Sequence, residues 1–171
     1  MRALVIYESM FGNTEVVARA IAEGIAEHLD VESTEVGDAP TSVPDDVVLL
    51  AVGGPTHAFG MSRASTRRSA DEQADGPLVS RGRGIREWLE ELGRCGHRCY
   101  GGVFDTKLSR RWLPGSATRG AARQLARRNV DLAVDPIHFY VTGPSGPLIG
   151  GETDRARDWG ARLARSVPTG T

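Results

Sequence analysis

Ser9, Gly12, Asn13 and Thr14 crowd into the stretch Tyr7-Glu8-Ser9-Met10-Phe11-Gly12-Asn13-Thr14-Glu15, directly after the apolar run Leu4-Val5-Ile6. A helix starting near Thr14 turns unpaired backbone N–H groups and the positive end of its dipole toward that turn, with the Ser9 and Thr14 hydroxyls beside them. Gly12 permits positive φ and close backbone approach, and Asn13 tolerates the left-handed region better than most residues. The chemistry on offer is anion binding. Neither G-x-x-x-x-G-K-[ST] nor G-x-G-x-x-G occurs, which disfavours a magnesium triphosphate or a dinucleotide on this turn and leaves a phosphomonoester without metal as the best fit. A capped strand-to-helix turn that binds nothing is the competing reading.

Other reactive side chains form no comparable set. Cys95 and Cys99 frame Gly-His-Arg, neither the C-x-x-C redox spacing nor half of a zinc site, and read as reduced structural thiols. His28, His97 and His138 make no metal spacing with a carboxylate pair, so no metal ligand is assigned. No acid–base pair or nucleophile–base constellation stands out, so no catalytic residue is assigned and hydrolysis is disfavoured.

The elements that must position the turn alternate along the chain. Ala3 to Tyr7 reads as a strand, and Thr14 to Leu29 as a helix with Val17, Ala20, Ile21, Gly24, Ile25 and Leu29 on one face. Val31 to Val36 reads as an edge strand and Val47 to Val52 as a buried central one. Ile85 to Leu92 is a helix, Cys99 to Phe104 a strand, and Ser116 to Arg128 a helix that Ser116 caps. Leu132 to Val134 and Ile137 to Val141 read as one last strand broken at Asp135-Pro136, and Glu152 to Ser166 as the closing helix. Five strands alternating with helices predict an α/β fold: a three-layer α/β/α sandwich whose parallel sheet is covered on both faces. Ligands in such sheets sit beyond the carboxyl ends of the strands, where strand order reverses, which singles out loops 8–14, 53–62 and 104–115. Residues 62–84 are longer than an ordinary connection and read as a mobile loop, while 143–151 reads as a rigid connection with Leu148 and Ile149 tucked inward.

Composition bounds the class. The 171 residues, 40% hydrophobic and 25% charged, suit one soluble domain over 1–171. No run of about eighteen apolar residues is present, and Met1-Arg2 leads straight into a strand, so no membrane span is expected and the cytoplasm is the expected compartment. The net charge of −1 hides a division: residues 1–60 hold ten acids against Arg2 and Arg19, and the bases dominate thereafter. These bases are spread over several predicted helices without a nucleic-acid motif, so solvated helix faces are the better reading and no nucleic-acid partner is expected.

The segment Ser9-Met10-Phe11-Gly12-Asn13-Thr14-Glu15 resembles the phosphate loop of the flavodoxin-like family, which binds the monophosphate of FMN. Gly53-Gly54-Pro55-Thr56-His57-Ala58-Phe59-Gly60-Met61-Ser62 is similar to that family's second flavin loop, and Phe104-Asp105-Thr106 to the start of its third. The resemblance implies a five-stranded parallel sheet in the order 2-1-3-4-5 with FMN across its carboxyl edge. Ser9, Met10, Phe11, Gly12, Asn13 and Thr14 would then surround the phosphate, largely through backbone N–H groups. The ring system would be held by Pro55, Thr56, His57, Ala58, Phe59 and Gly60 on one side and by Phe104, Asp105, Thr106 and Lys107 on the other.

Three departures from the family's pattern carry consequences. Phe11 stands where simple flavodoxins offer another hydroxyl, which lowers the expected phosphate affinity. His57 stands where a stacking tryptophan is common, and no tyrosine follows Asp105-Thr106, leaving Phe59 or Trp112 as substitutes. Ala58 replaces a glycine whose carbonyl flips toward the ring; a flip needing positive φ costs alanine about 1 kcal/mol, so the one-electron-reduced flavin is expected to be less stabilised. Lys107, Arg110 and Arg111 add positive charge in the third loop and are expected to raise the flavin potential.

The function implied by the resemblance is an FMN-binding electron carrier that exposes its ring edge to a redox partner protein, as a monomer or small homo-oligomer. Two alternatives stand beside it: an FMN-dependent oxidoreductase using NAD(P)H and a quinone-type acceptor, and a flavin-free scaffold.

Overall fold

The computed structural model describes residues 1–57, 60–74, 76–109 and 115–168. Its elements in chain order are β1 (Arg2–Tyr7), α1 (Asn13–Ala26), β2 (Asp30–Glu35), β3 (Val47–His57), β4 (Gly60–Met61), α2 (Ala64–Glu72), α3 (Ile85–Glu91), β5 (Cys99–Leu108), α4 (Ala117–Ala126), β6 (Val130–Leu132), β7 (Ile137–Val141) and α5 (Glu152–Arg165).

The sheet runs β2-β1-β3-β5-β6, with β7 also paired to β5 and the two-residue β4 folded back antiparallel on β3. The other strand pairings among the described residues are parallel, and an isolated antiparallel bridge joins Val141 to Leu148. Strands β6 and β7 are the two halves of the expected last strand: β6 pairs with Cys99–Gly101 and β7 with Phe104–Leu108. Between them lies Pro136, which has no N–H to give a ladder. Taken as one interrupted strand, they complete the order 2-1-3-4-5, and the sheet is the α/β sandwich expected from the alternation.

Alternation along the strands sends side chains to two cores. Ala3, Val5 and Tyr7 of β1 face one cluster with α1 and α5, while Leu4 and Ile6 face another with α3 and α4. Both faces are buried, as a parallel sheet requires. Helices α1 and α5 pack backbone to backbone: a Cβ on Gly24 would sit 2.0 Å from the Arg157 carbonyl oxygen, and one on Gly160 2.2 Å from that of Ile21. Ser116 caps α4 as expected, its Oγ accepting the Thr118 N–H at 3.1 Å.

Two features differ from the sequence reading. Strands β3 and β5 extend past their apolar runs to His57 and Leu108, because Gly53–Pro55 pair with Phe104–Thr106 and Thr106–Leu108 with Phe139–Val141. Helix α2 occupies part of the stretch 62–84; only its Ala70 is buried, so its periodicity is faint in the sequence. Cys95 and Cys99 are free and buried, and burial pushes the Cys99 thiol up to about 12, with Cys95 adding to the shift. Among the described residues, no helix is long and apolar enough to cross a membrane.

Candidate functional site

Strand order reverses at β1, which sends the chain first to β2 on one side and then to β3 on the other. Just beyond the carboxyl ends of β1, β3 and β5 lies a cleft of about 250 Å³. Ser9, Met10, Phe11, Asn13 and Thr14 line it from the first loop, Pro55, Thr56 and His57 from the second, and Thr106, Lys107 and Leu108 from the third. Thr66, Ser69, Ala70 and Gln73 of α2 form a further wall, with Val141 and Pro144 at the rim.

The first loop is held from several sides while leaving backbone donors uncommitted. Gly12 is the N-cap of α1 at φ 90°, and a Cβ placed there would meet nothing within 4 Å. Ser9 Oγ accepts the N–H groups of Gly12 (3.1 Å) and Glu15 (3.3 Å), Asn13 Nδ2 donates to the Ser145 carbonyl (3.1 Å), and Thr14 Oγ1 meets Thr106 Oγ1 at 2.7 Å. The segment 78–80 braces the loop like a short strand: Ser80 N–H donates to Ser9 O (2.8 Å), Val79 N–H to Met10 O (3.1 Å), and Ser9 N–H to Ser80 Oγ (2.9 Å). With the polar side chains thus engaged, the N–H groups of Met10, Phe11, Asn13 and Thr14 find no acceptor among the described residues. Four such donors about a left-handed glycine at a helix N-terminus form an anion cradle.

The other expected site residues fall in different places. Gly60 lies in β4, paired with His57. The Phe104 side chain turns into the core, edge-on to Phe139 and Trp159, because its neighbours in β5 alternate faces. Asp105 is fully buried, and its carboxylate accepts from Thr56 Oγ1 (2.8 Å), Ser116 Oγ (2.9 Å) and His138 Nδ1 (2.7 Å). Ala58, Phe59, Arg110, Arg111 and Trp112 lie outside the described residues.

Glu8 is buried below the first loop and acts on α3. Its Oε2 accepts the Ile85 N–H at 2.8 Å at the start of that helix, and its Oε1 accepts from Ser62 Oγ. Arg67 donates to Ser62 Oγ (2.9 Å) and to Glu87 Oε2 (3.1 Å), closing a charged network between β1, α2 and α3. Burial drives the Glu8 carboxyl above its ordinary range, against the hydrogen bonds from Ser62 and Ile85. Burial also works to raise Glu87, but the bonds from Arg67 and the Gly84 N–H outweigh it and hold that carboxyl below its ordinary value. His57 is pushed down, first by burial and then by the Arg67 charge, so its imidazole is neutral at pH 7.

Several members of the site escape sequence reasoning. The α2 residues sit in a stretch with little periodicity, and His138 has no spacing that links it to Asp105. Glu8 did leave a signal, a carboxylate directly after an apolar strand, where burial demands a partner. Among the described residues no group of His, Cys, Asp and Glu is arranged to hold a metal ion.

The fold has counterparts among known proteins. A flavodoxin from the domain Archaea is 21% identical, with 98% of this chain and 99% of that one covered at a TM-score of 0.65. Flavodoxin 1 from Bacillus cereus is 19% identical, with 96% and 98% covered at a TM-score of 0.67. A WrbA-like flavodoxin from Agrobacterium tumefaciens is 18% identical, with 97% and 96% covered at a TM-score of 0.58. No curated protein sequence matches the chain. The family model for flavodoxin matches residues 5–93, spanning the anion cradle, the second loop and α2, and the chain therefore belongs to the flavodoxin family.

Proposed function

We propose that this protein binds FMN in the cleft beyond β1, β3 and β5 and works as an electron carrier for a redox partner protein. The observation that carries this reading is the anion cradle: the N–H groups of Met10, Phe11, Asn13 and Thr14 have no acceptor among the described residues, around a glycine at φ 90°. A phosphomonoester matches this donor set without a metal. The chain's residues fit the rest of the group, with Pro55, Thr56 and His57 on one side of the cleft and Thr106, Lys107 and Leu108 on the other.

Bound FMN would supply reversible one- and two-electron transfer. The chain supplies binding and electrostatics. The Thr14–Thr106 contact ties the first loop to the end of β5. Neutral His57 adds an apolar-faced ring without charge, while the Lys107 ammonium brings a positive charge to the third-loop side, favouring an anionic reduced ligand.

Fluorescence titration of the purified protein with FMN, with riboflavin as control, tests the reading. Tight FMN binding with much weaker riboflavin binding supports it. Equal affinities would remove the phosphate from the cradle, and no binding of either would leave the fold without this cofactor.

A further inference from the structure

Helix α2 presents two chemically different faces. Arg67, Arg68 and Asp71 line a separate cleft with Ser80 and Arg81, whereas the face toward the main cleft carries Thr66, Ser69, Ala70 and Gln73. The second set is spaced for one side of a helix and bears no charge. Ala70 packs in a small apolar cluster with Met10 and Leu78, to which Phe11 and Ala74 add, so the carboxyl end of α2 is anchored on the first loop. The amino end follows directly from β4, which is paired to the second loop. The uncharged face therefore runs between the cradle and the second loop.

The hydrogen-bonding capacity of this face is specific. Thr66 Oγ1 is engaged in the α2 cap, donating to the Arg63 carbonyl at 3.0 Å and accepting the Arg63 N–H at 2.9 Å. Ser69 Oγ donates to the Ser65 carbonyl at 3.2 Å, so it offers the cleft a lone pair and no proton. A phosphate dianion, which only accepts, cannot use that group; a hydroxyl can. The Gln73 carboxamide offers both donors and an acceptor, and has no hydrogen-bond partner among the described residues.

We infer that α2 is the element that reads the uncharged polyhydroxyl chain of the ligand, Ser69 accepting from one hydroxyl and Gln73 exchanging hydrogen bonds with its neighbours. The inference rests on the FMN reading, in which the ribityl chain joins the phosphate to the ring. It makes the affinity contributions of the cradle and of α2 separable: the cradle discriminates FMN from riboflavin, and α2 strengthens both alike.

The test is titration of wild-type protein and of the double variant Ser69→Ala/Gln73→Ala with FMN and with riboflavin, alongside Arg68→Ala on the opposite face of α2. The expected result is a loss of roughly tenfold in affinity for both ligands in the double variant, the size of two ordinary hydrogen bonds, with the FMN-to-riboflavin ratio preserved and Arg68→Ala unchanged. Wild-type affinity in the double variant overturns the inference and leaves the FMN reading standing. A loss confined to FMN assigns α2 to the phosphate and overturns it, as does an equal loss in Arg68→Ala, which would mark a general loosening of the helix. Failure of the wild-type protein to bind FMN overturns the parent reading and this inference with it.

Discussion

His138 Nδ1 lies 2.7 Å from Asp105 Oδ1, joining paired register positions of β7 and β5. The other carboxylate oxygen accepts from Thr56 and Ser116, so one buried acid connects β3, β5, β7 and the start of α4. Replacing Asp105 with Ala leaves three donors without their acceptor and is expected to cost about 3 kcal/mol. His138→Gln, at a half-buried position, should cost about 1 kcal/mol. Urea unfolding at constant m-value measures both, and an Asp105→Ala midpoint equal to wild type would show that this junction carries no stability.

Gly12 and Gly24 are both intolerant of a side chain, for opposite reasons. At Gly12 the obstacle is φ 90° with open space around it, so Gly12→Ala should cost about 1–2 kcal/mol through backbone strain and weaken FMN binding as the loop relaxes. Thermal melts combined with FMN titration check this, binding being the more sensitive readout.

At Gly24 the obstacle is the Arg157 carbonyl, 2.0 Å from any Cβ, which only separation of α1 from α5 can relieve. Gly24→Ala should cost about 1–3 kcal/mol by overpacking while leaving FMN affinity unchanged, since neither helix face concerned lines the cleft. Loss of FMN affinity in a folded Gly24→Ala protein would contradict that separation.

Glu8 predicts a pH dependence of stability. A carboxyl raised above its ordinary value of about 4.3 holds its proton more tightly in the folded chain. Its stabilising contribution is complete below that ordinary value and is lost as the pH rises through the folded value. Glu8→Gln carries no charge to bury, so its stability relative to wild type should improve as the pH goes from about 4 to 8. Melting temperatures across that range decide the matter; a constant difference would mean that Glu8 ionises in the fold without penalty.

His57 carries the reverse sign. Its lowered value means a contribution present above about 6.5 and lost as the pH falls through the folded value. Its imidazole proton signals in NMR should therefore titrate below 6.5, and Arg67→Met should raise the midpoint only partway, because burial comes before the Arg67 charge among the causes. A midpoint at the ordinary value in wild type would place the ring in solvent.

The local physics of the sequence was enough to establish the sandwich and the turn between its first strand and first helix. Period-two and continuous apolar runs such as Leu4-Val5-Ile6 and Val47 to Val52 report burial on both sheet faces, and a glycine before a helix start reports a tight turn in the left-handed region. Tertiary structure alone decided what surrounds that turn. Phe104 and Asp105 are adjacent in sequence, yet pleating sends one ring into the core and the other's carboxylate to a hub with His138, a partner chosen by the register of β5 against β7. Helix α2 is held by Ala70 resting on Met10 and Leu78 and by the Arg67 bonds to Ser62 and Glu87, contacts that its own polar sequence does not announce. Propensity and periodicity act within a few residues, whereas the walls of this cleft come from segments that meet only when the sheet closes its order.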